Sequence, residues 1–286
     1  MTGVASVYSS PLSHSLLPCL RRRLISDHFS PPFSCFHRFV VSHYHRHMFS
    51  SSPFKPPAAA IFAQARRGSS SSSKSKEEEI ATPADLQFDA PLKIVEYPDP
   101  ILRAKNKRIN TFDDNLKKLV DEMFDVMYKT DGIGLSAPQV GKNVQLMVFN
   151  PVGERGQGEE VVLVNPKINR YSKKVELYNE GCLSFPGINA DVERPESVRI
   201  DAQDIKGESF SFHLNELPAR IFQHEYDHLQ GILFFDRMSE DVLEGILADL
   251  QALEKKYEDR TGLPSPEKAE ALRRKKRTAA VGFGKS

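Results

Sequence analysis

Cysteine is scarce in this chain, and acid is almost missing from its first quarter. Three cysteines occur in 286 residues, Cys19, Cys35 and Cys182. The first two fall in a segment whose composition marks it for removal, so the body keeps one thiol and forms no internal disulfide. That suits a reducing compartment such as a stroma or matrix. Residues 1 to 76 hold a single acidic residue, Asp27, against ten Lys or Arg, and they are crowded with Ser, Pro and His up to the run Ser69 to Ser73. Such a stretch builds no packed core and is expected to be a disordered organellar transit peptide with its linker. A secretory signal is excluded, because its single apolar run behind a basic start is replaced here by short patches broken by Pro, Arg and His. No apolar run approaches the roughly 20 residues that span a bilayer, which argues against a membrane partner.

Charge is divided unevenly. The leader carries +9 and the whole chain +1, which leaves −8 for the remainder. An acidic body argues against nucleic acid as a direct substrate.

Past the leader the folded part is expected to begin near Leu92, within a catalytic domain over residues 77 to 263. Thr111 with Asp114 reads as a capping box, followed by Leu116, Leu119, Val120, Met123 and Met127 at helical spacing. The helix should stop near Thr130, before Asp131-Gly132. Strands are expected at Val144 to Phe149, Val161 to Val164, Lys174 to Tyr178, Ser197 to Ala202 and Ser209 to Leu214, with Asp204 to Gly207 turning between the last two. A second helix has Asn215 as N-cap, Pro218 in its first turn and Gly231 just past its end. A third starts at Ser239 with Leu243, Ile246, Leu247, Leu250 and Leu253 on one stripe. Residues 264 to 286 are polar and carry Arg273-Arg274-Lys275-Lys276-Arg277, which reads as a disordered solvated tail or, more sharply, as an anionic or ribosome docking element. The fold class is α+β, with antiparallel strands around a central helix, an N-terminal helix and a C-terminal amphipathic helix.

That central helix carries Gln223-His224-Glu225-Tyr226-Asp227-His228-Leu229-Gln230-Gly231. Residues four apart share one helix face, so His224 and His228 can hold one ion while Glu225 reaches a water in its open position. The pattern implies metal-dependent hydrolysis and lacks a third ligand. Cys182, in Asn179-Glu180-Gly181-Cys182-Leu183-Ser184-Phe185-Pro186-Gly187, is the soft donor left in the body. One thiolate and two imidazoles leave a tetrahedral position open, as a catalytic site requires. Glu225 is then the general base and later the acid. Donors to a developing oxyanion are the Gln139 amide, in the loop Asp131 to Gly141, and the Leu183 N–H. Two other readings stand beside this one. A zinc endopeptidase would take a downstream acid such as Glu240 or Glu244 as third ligand, and a non-catalytic metal module would have no use for Glu225 or Gln139.

The motifs Gly132 to Gln139 (GxGLxAPQ), Glu180 to Ser184 (EGCLS) and Gln223 to Gly231 (QHExDHLxG), in that order, resemble peptide deformylase in its organellar, plant-like 1B form. Tyr97-Pro98-Asp99-Pro100-Ile101-Leu102-Arg103 is similar to the family's N-terminal signature, and the likeness spans about residues 90 to 258. The resemblance implies removal of formate from the N-formyl-methionine of nascent organelle-encoded peptides. It implies Cys182, His224 and His228 as metal ligands, Glu225 as the acid–base residue, and Gln139 with the Leu183 N–H at the oxyanion. It further implies Ile133, Tyr178, Leu217 and Ile221 as walls of a methionine pocket, with Gly134 and Gly181 near the substrate backbone. Arg220 departs from the apolar residue usual at its place in bacterial relatives. The implied metal is Fe²⁺, one per chain, with Zn²⁺, Ni²⁺ or Co²⁺ as substitutes. The implied location is the chloroplast stroma, with the mitochondrial matrix as a second site of import. The oligomeric state is not legible.

Overall fold

A computed structural model of the chain describes residues 78–282. The expected leader lies outside these residues. The chain orders as α1 (Pro83–Leu86), α2 (Asp114–Lys129), β1 (Gly134–Ser136), β2 (Leu146–Phe149), β3 (Val161–Tyr171), β4 (Val175–Cys182), β5 (Phe185–Pro195), β6 (Ser197–Gln203), β7 (Ser209–Asn215), α3 (Glu216–Leu229), α4 (Glu240–Thr261) and α5 (Ala269–Gly282). Short 3-10 turns cover Pro100–Arg103, Ala137–Val140 and Phe234–Arg237. Among the described residues no helix is long and apolar enough to cross a membrane.

Five strands form an antiparallel sheet in the order β1-β2-β3-β6-β7, and β4 and β5 form a separate hairpin. Strand β2 shows why its sequence, Leu-Met-Val-Phe, is apolar throughout. Leu146 and Val148 join the cluster around α2, while Met147 and Phe149 join the cluster around α3. Both faces of β2 are covered by helices, so the usual polar alternation disappears. The hairpin β4–β5 packs instead on α4 and on the aromatic segment after α3, with Phe185, Phe234, Phe235 and Leu250 in one cluster. Cys182 belongs to this cluster and the histidine helix to the other. The site therefore lies along the seam between two cores.

Several expectations change in detail. The cap of α2 is Asp113, whose Oδ1 accepts from the N–H groups of Asn115 (3.0 Å) and Leu116 (3.1 Å), not Thr111. The ordered chain starts before Leu92: Leu86 of α1 is buried in the first core, and Ile80 bridges Arg108. Strand β3 continues to Tyr171 and β4 reaches Cys182, while β5 was not expected at all. The turn at Asp204 is as expected, since Asp204 Oδ1 accepts from Lys206 N and Glu208 N. Asn215 is the N-cap of α3 but makes no side-chain capping bond, and Gly231 follows α3 at φ +70°.

The expected C-terminal tail is helical over Ala269–Gly282. The buried Glu254 carboxylate accepts from Ala269 N at 2.6 Å and from the Tyr97 hydroxyl at 3.2 Å. Lys276 Nζ donates to the carbonyls of Phe235, Asp236 and Met238, and Arg273 pairs with Glu244. Acceptors left open at the end of a 3-10 turn thus gain a cation.

Candidate metal centre

Two elements bring the candidate donor atoms together. Helix α3 places His224 and His228 one turn apart, their ring centroids 5.2 Å from each other. The end of β4 brings Cys182 opposite them, with its Sγ 3.3 Å from His228 Nε2. One donor atom from each of Cys182, His224 and His228 lies within 4.8 Å of the others, and all three residues are buried. Tetrahedral coordination at ordinary sulfur and nitrogen bond lengths separates such donors by about 3.5 Å. The set fits a transition metal. Burial pushes the His228 imidazole well below its ordinary pKa, and the nearby Arg194 and Arg103 guanidinium groups add to that, which favours the neutral ring that a metal ligand requires.

The second imidazole is oriented from behind. His224 Nδ1 donates to Glu180 Oε2 at 3.0 Å, which leaves Nε2 available as a donor atom to a metal. Glu180 is fully buried, and its two oxygens also accept from Arg194 Nε (2.7 Å), Arg194 Nη2 (3.0 Å) and Arg220 Nη1 (3.0 Å). Burial alone would raise its pKa. The Arg194 charge and the hydrogen bonds from His224 and Arg194 outweigh it and hold the carboxyl well below the usual carboxylate range. Arg194 in turn donates to Asp227 Oδ2 at 2.7 Å, and Arg237 Nε donates to the same oxygen at 3.0 Å. Asp227, which the sequence left without a role, balances these guanidinium groups.

The loop expected over Asp131 to Gly141 contains strand β1 and the 3-10 turn Ala137–Val140, and it forms the opposite wall. Gln139 Oε1 accepts from Ser136 N (2.9 Å) and Ser136 Oγ (2.8 Å), which turns its NH₂ toward Cys182 Sγ at 3.5 Å. Gln139 is 1% exposed. Leu183 follows the thiol directly, between β4 and β5, and its side chain packs toward Gly132. Glu225 is 2% exposed, and its Oε2 has no hydrogen-bond partner among the described residues. Burial pushes its carboxyl up to about 7, against the opposing pull of a Ser136 hydrogen bond and the Arg194 charge.

Gly134 is where this wall touches the helix. A Cβ there would stand 2.7 Å from Glu225 Oε1 and 2.7 Å from Ile221 Cγ2. Gly134→Ala is expected to lower kcat at least about tenfold by displacing the carboxylate, with the thermal midpoint lowered by only a few degrees. Steady-state rates beside a thermal melt check this. The other expected substrate contacts divide. Gly181 is buried in β4, Ile133 and Leu217 are half-buried, Tyr178 is 46% exposed, and Ile221 is wholly buried in the α3 core. Arg220 is no pocket wall: it is buried and turned toward Glu180. The downstream acids of the endopeptidase reading serve elsewhere, Glu244 with Arg273 and Glu240 in the first turn of α4.

The model of the polypeptide deformylase family matches residues 91–243, a stretch that holds the whole constellation. The chain belongs to the peptide deformylase family. The chloroplastic peptide deformylase 1B of Solanum lycopersicum is 63% identical over 286 residues, covering 100% of this chain and 99% of that one. The chloroplastic/mitochondrial peptide deformylase 1B of Arabidopsis thaliana is 71% identical over 208 residues, covering 73% and 76%. A crystal structure of a plant peptide deformylase 1B superposes with a TM-score of 0.63 at 74% identity, covering 64% of this chain and 99% of that one. The deformylase of Plasmodium falciparum gives 0.58 at 45%, covering 59% and 99%. This deformylase is a metal-dependent hydrolase that removes the formyl group from N-formyl-methionyl nascent peptides, and it is a chloroplast protein of the organellar 1B form.

Sequence reasoning missed Glu180, Arg194 and Ser136. The first carried a usable signal, an acid two residues before the candidate ligand Cys182 in a strand about to be buried. Arg194 and Ser136 lie 12 and 46 residues from Cys182, and only folding brings them in.

Proposed function

We propose that Cys182, His224 and His228 hold the catalytic metal, that Glu225 moves the proton, and that Gln139 and the Leu183 N–H receive the oxyanion. The observation that carries this reading is the convergence of one thiol and two imidazoles beside a buried carboxyl. When bound, the metal supplies a Lewis acid that polarises the formyl oxygen and acidifies water. Glu225 takes the proton from the attacking water and passes it to the leaving nitrogen. A carboxyl raised toward neutrality can do both. Gln139 is fixed through its own oxygen by Ser136, so its NH₂ needs no reorganisation as negative charge develops. Ile133, Leu217 and Tyr178 supply apolar surface for a methionine side chain, with the backbone of Gly134 and Gly181 beside the peptide.

Formate release from formyl-Met peptides, measured beside cleavage of blocked internal peptides, tests the reading. Formate without internal cleavage is expected, and internal cleavage would overturn it. We assign Fe²⁺ as the working metal, with Zn²⁺, Ni²⁺ or Co²⁺ as substitutes, since a ligand set of one sulfur and two nitrogens admits all four. Anaerobic ferrous loading is expected to give several-fold higher turnover than zinc loading. Equal turnover would remove the assignment. For ribosome association the basic run Arg273 to Arg277 supplies charge, but Arg273 pairs with Glu244, Arg274 with Glu270, and Lys276 with three carbonyls. These contacts favour a role in docking α5.

A further inference from the structure

Arg220 sits on α3 one turn before His224 and is 6% exposed. A guanidinium so enclosed persists only where its donors and its charge are met. Nη1 donates to Glu180 Oε1 at 3.0 Å and to Val192 O at 2.9 Å, and Nη2 donates to Glu176 O at 2.6 Å. The helix is thereby laced to both strands of the hairpin. The same guanidinium lies against the Tyr178 ring, with Cζ 5.7 Å from its centroid. Tyr178 and Glu180 are two residues apart on β4 and so share one face of the strand. One planar group thus meets two things at once. On one side is the carboxylate that orients a ligand imidazole, and on the other an aromatic ring with nearly half its surface open. Glu180 does not need Arg220 for neutrality, because Arg194 already grips both its oxygens. What Arg220 adds is the link to Tyr178.

We propose that Arg220 is a positioning residue that couples the substrate-facing ring of Tyr178 to the ligand His224 through Glu180. The proposal rests on the reading of Tyr178 as a substrate contact and of His224 as a ligand. A flat, delocalised cation can stack on a ring while its edge binds a carboxylate and two carbonyls, whereas an ammonium offers a single point of charge. Arg220 therefore keeps the ring in one place as a rigid wall and holds the hairpin that bears Cys182 against the histidine helix.

The experiment compares Arg220→Met, Arg220→Lys, Tyr178→Ala and the double variant Arg220→Met with Tyr178→Ala. It reads KM and kcat on formyl-Met peptides, together with Co²⁺ affinity and the visible Co²⁺ spectrum of metal-stripped protein. Arg220→Met is expected to raise KM about tenfold, to weaken Co²⁺ binding about tenfold and to move the Co²⁺ bands. Tyr178→Ala should raise KM similarly and leave Co²⁺ binding unchanged. The double variant should be no worse in KM than Arg220→Met within a factor of two, because both substitutions remove one coupled contact. Arg220→Lys keeps the charge and guards against a folding failure, and it too should raise KM. If Tyr178→Ala leaves KM unchanged, the substrate reading of that ring fails and the proposal with it. Should Tyr178→Ala raise KM while both Arg220 variants match the parent in KM and Co²⁺ spectrum, the role of Arg220 alone is overturned. Multiplicative KM effects in the double variant would overturn it as well.

Discussion

Glu225→Gln is expected to keep its full complement of metal and to lose about three orders of magnitude in kcat, within the range usual for removal of a general acid–base group. The amide matches the carboxylate in shape, so it fits beside Gly134 as the carboxylate does, and Cys182, His224 and His228 are untouched. Only proton transfer is removed. The pH dependence carries a sign. A general base must be ionised, and burial pushes Glu225 up to about 7 before any cation is considered. A bound cation favours the ionised form, so the acid limb of kcat/KM should lie below about 7, with activity falling as pH drops through it. Residual activity of Glu225→Gln should lack that limb. Formate release against pH, with metal content by elemental analysis, decides the matter, and a variant with parental turnover would strip Glu225 of its role.

The second large effect concerns stability. Glu180→Ala leaves Arg194 and Arg220 buried with one acceptor group fewer and releases His224 Nδ1, and it is expected to cost about 3–5 kcal/mol. Metal affinity should fall by about 10–100-fold in addition, as for other partners of ligand histidines. Chemical denaturation and metal titration measure the two separately. Glu180 also predicts acid sensitivity. Its folded pKa is held below that of the unfolded chain, so its stabilisation is complete above about 4.3 and declines as pH falls from there toward the lower folded value. Glu180→Gln should flatten this part of the stability profile. An unchanged acid transition would show that other carboxylates set it.

How far the sequence disclosed this site follows from the range of the interactions concerned. The pairing of His224 and His228 is a consequence of helix period, and the stop after α3 of glycine conformation at Gly231, so both were legible. A Cβ at Gly231 would stand 2.4 Å from Arg103 O, which explains why no other residue serves. Strand β5 was legible in principle: Ile188, Ala190, Val192 and Arg194 are buried in alternation. Its Pro186-Gly187 and its charged outward residues concealed the period, and the buried member at its end is an arginine. The short wall Gly134–Ser136 looked like a loop because three residues are too few for a period to show. The helix at Ala269–Gly282 was hidden by polarity. Its docking depends on Glu254 and on the Lys276 contacts with distant carbonyls, which no local pattern contains.

Among the described residues β4, which carries Cys182, and β5 pair only with each other, while the imidazoles ride on a helix packed on the larger sheet. A cation gripping both is a clasp across a gap of 46 residues, closing a loop that otherwise relies on side chains. Stripping the ion should therefore loosen one particular border. Amide hydrogens of residues 176 to 192 should exchange sooner in the stripped protein, while those of α2 and β2 keep their former pace.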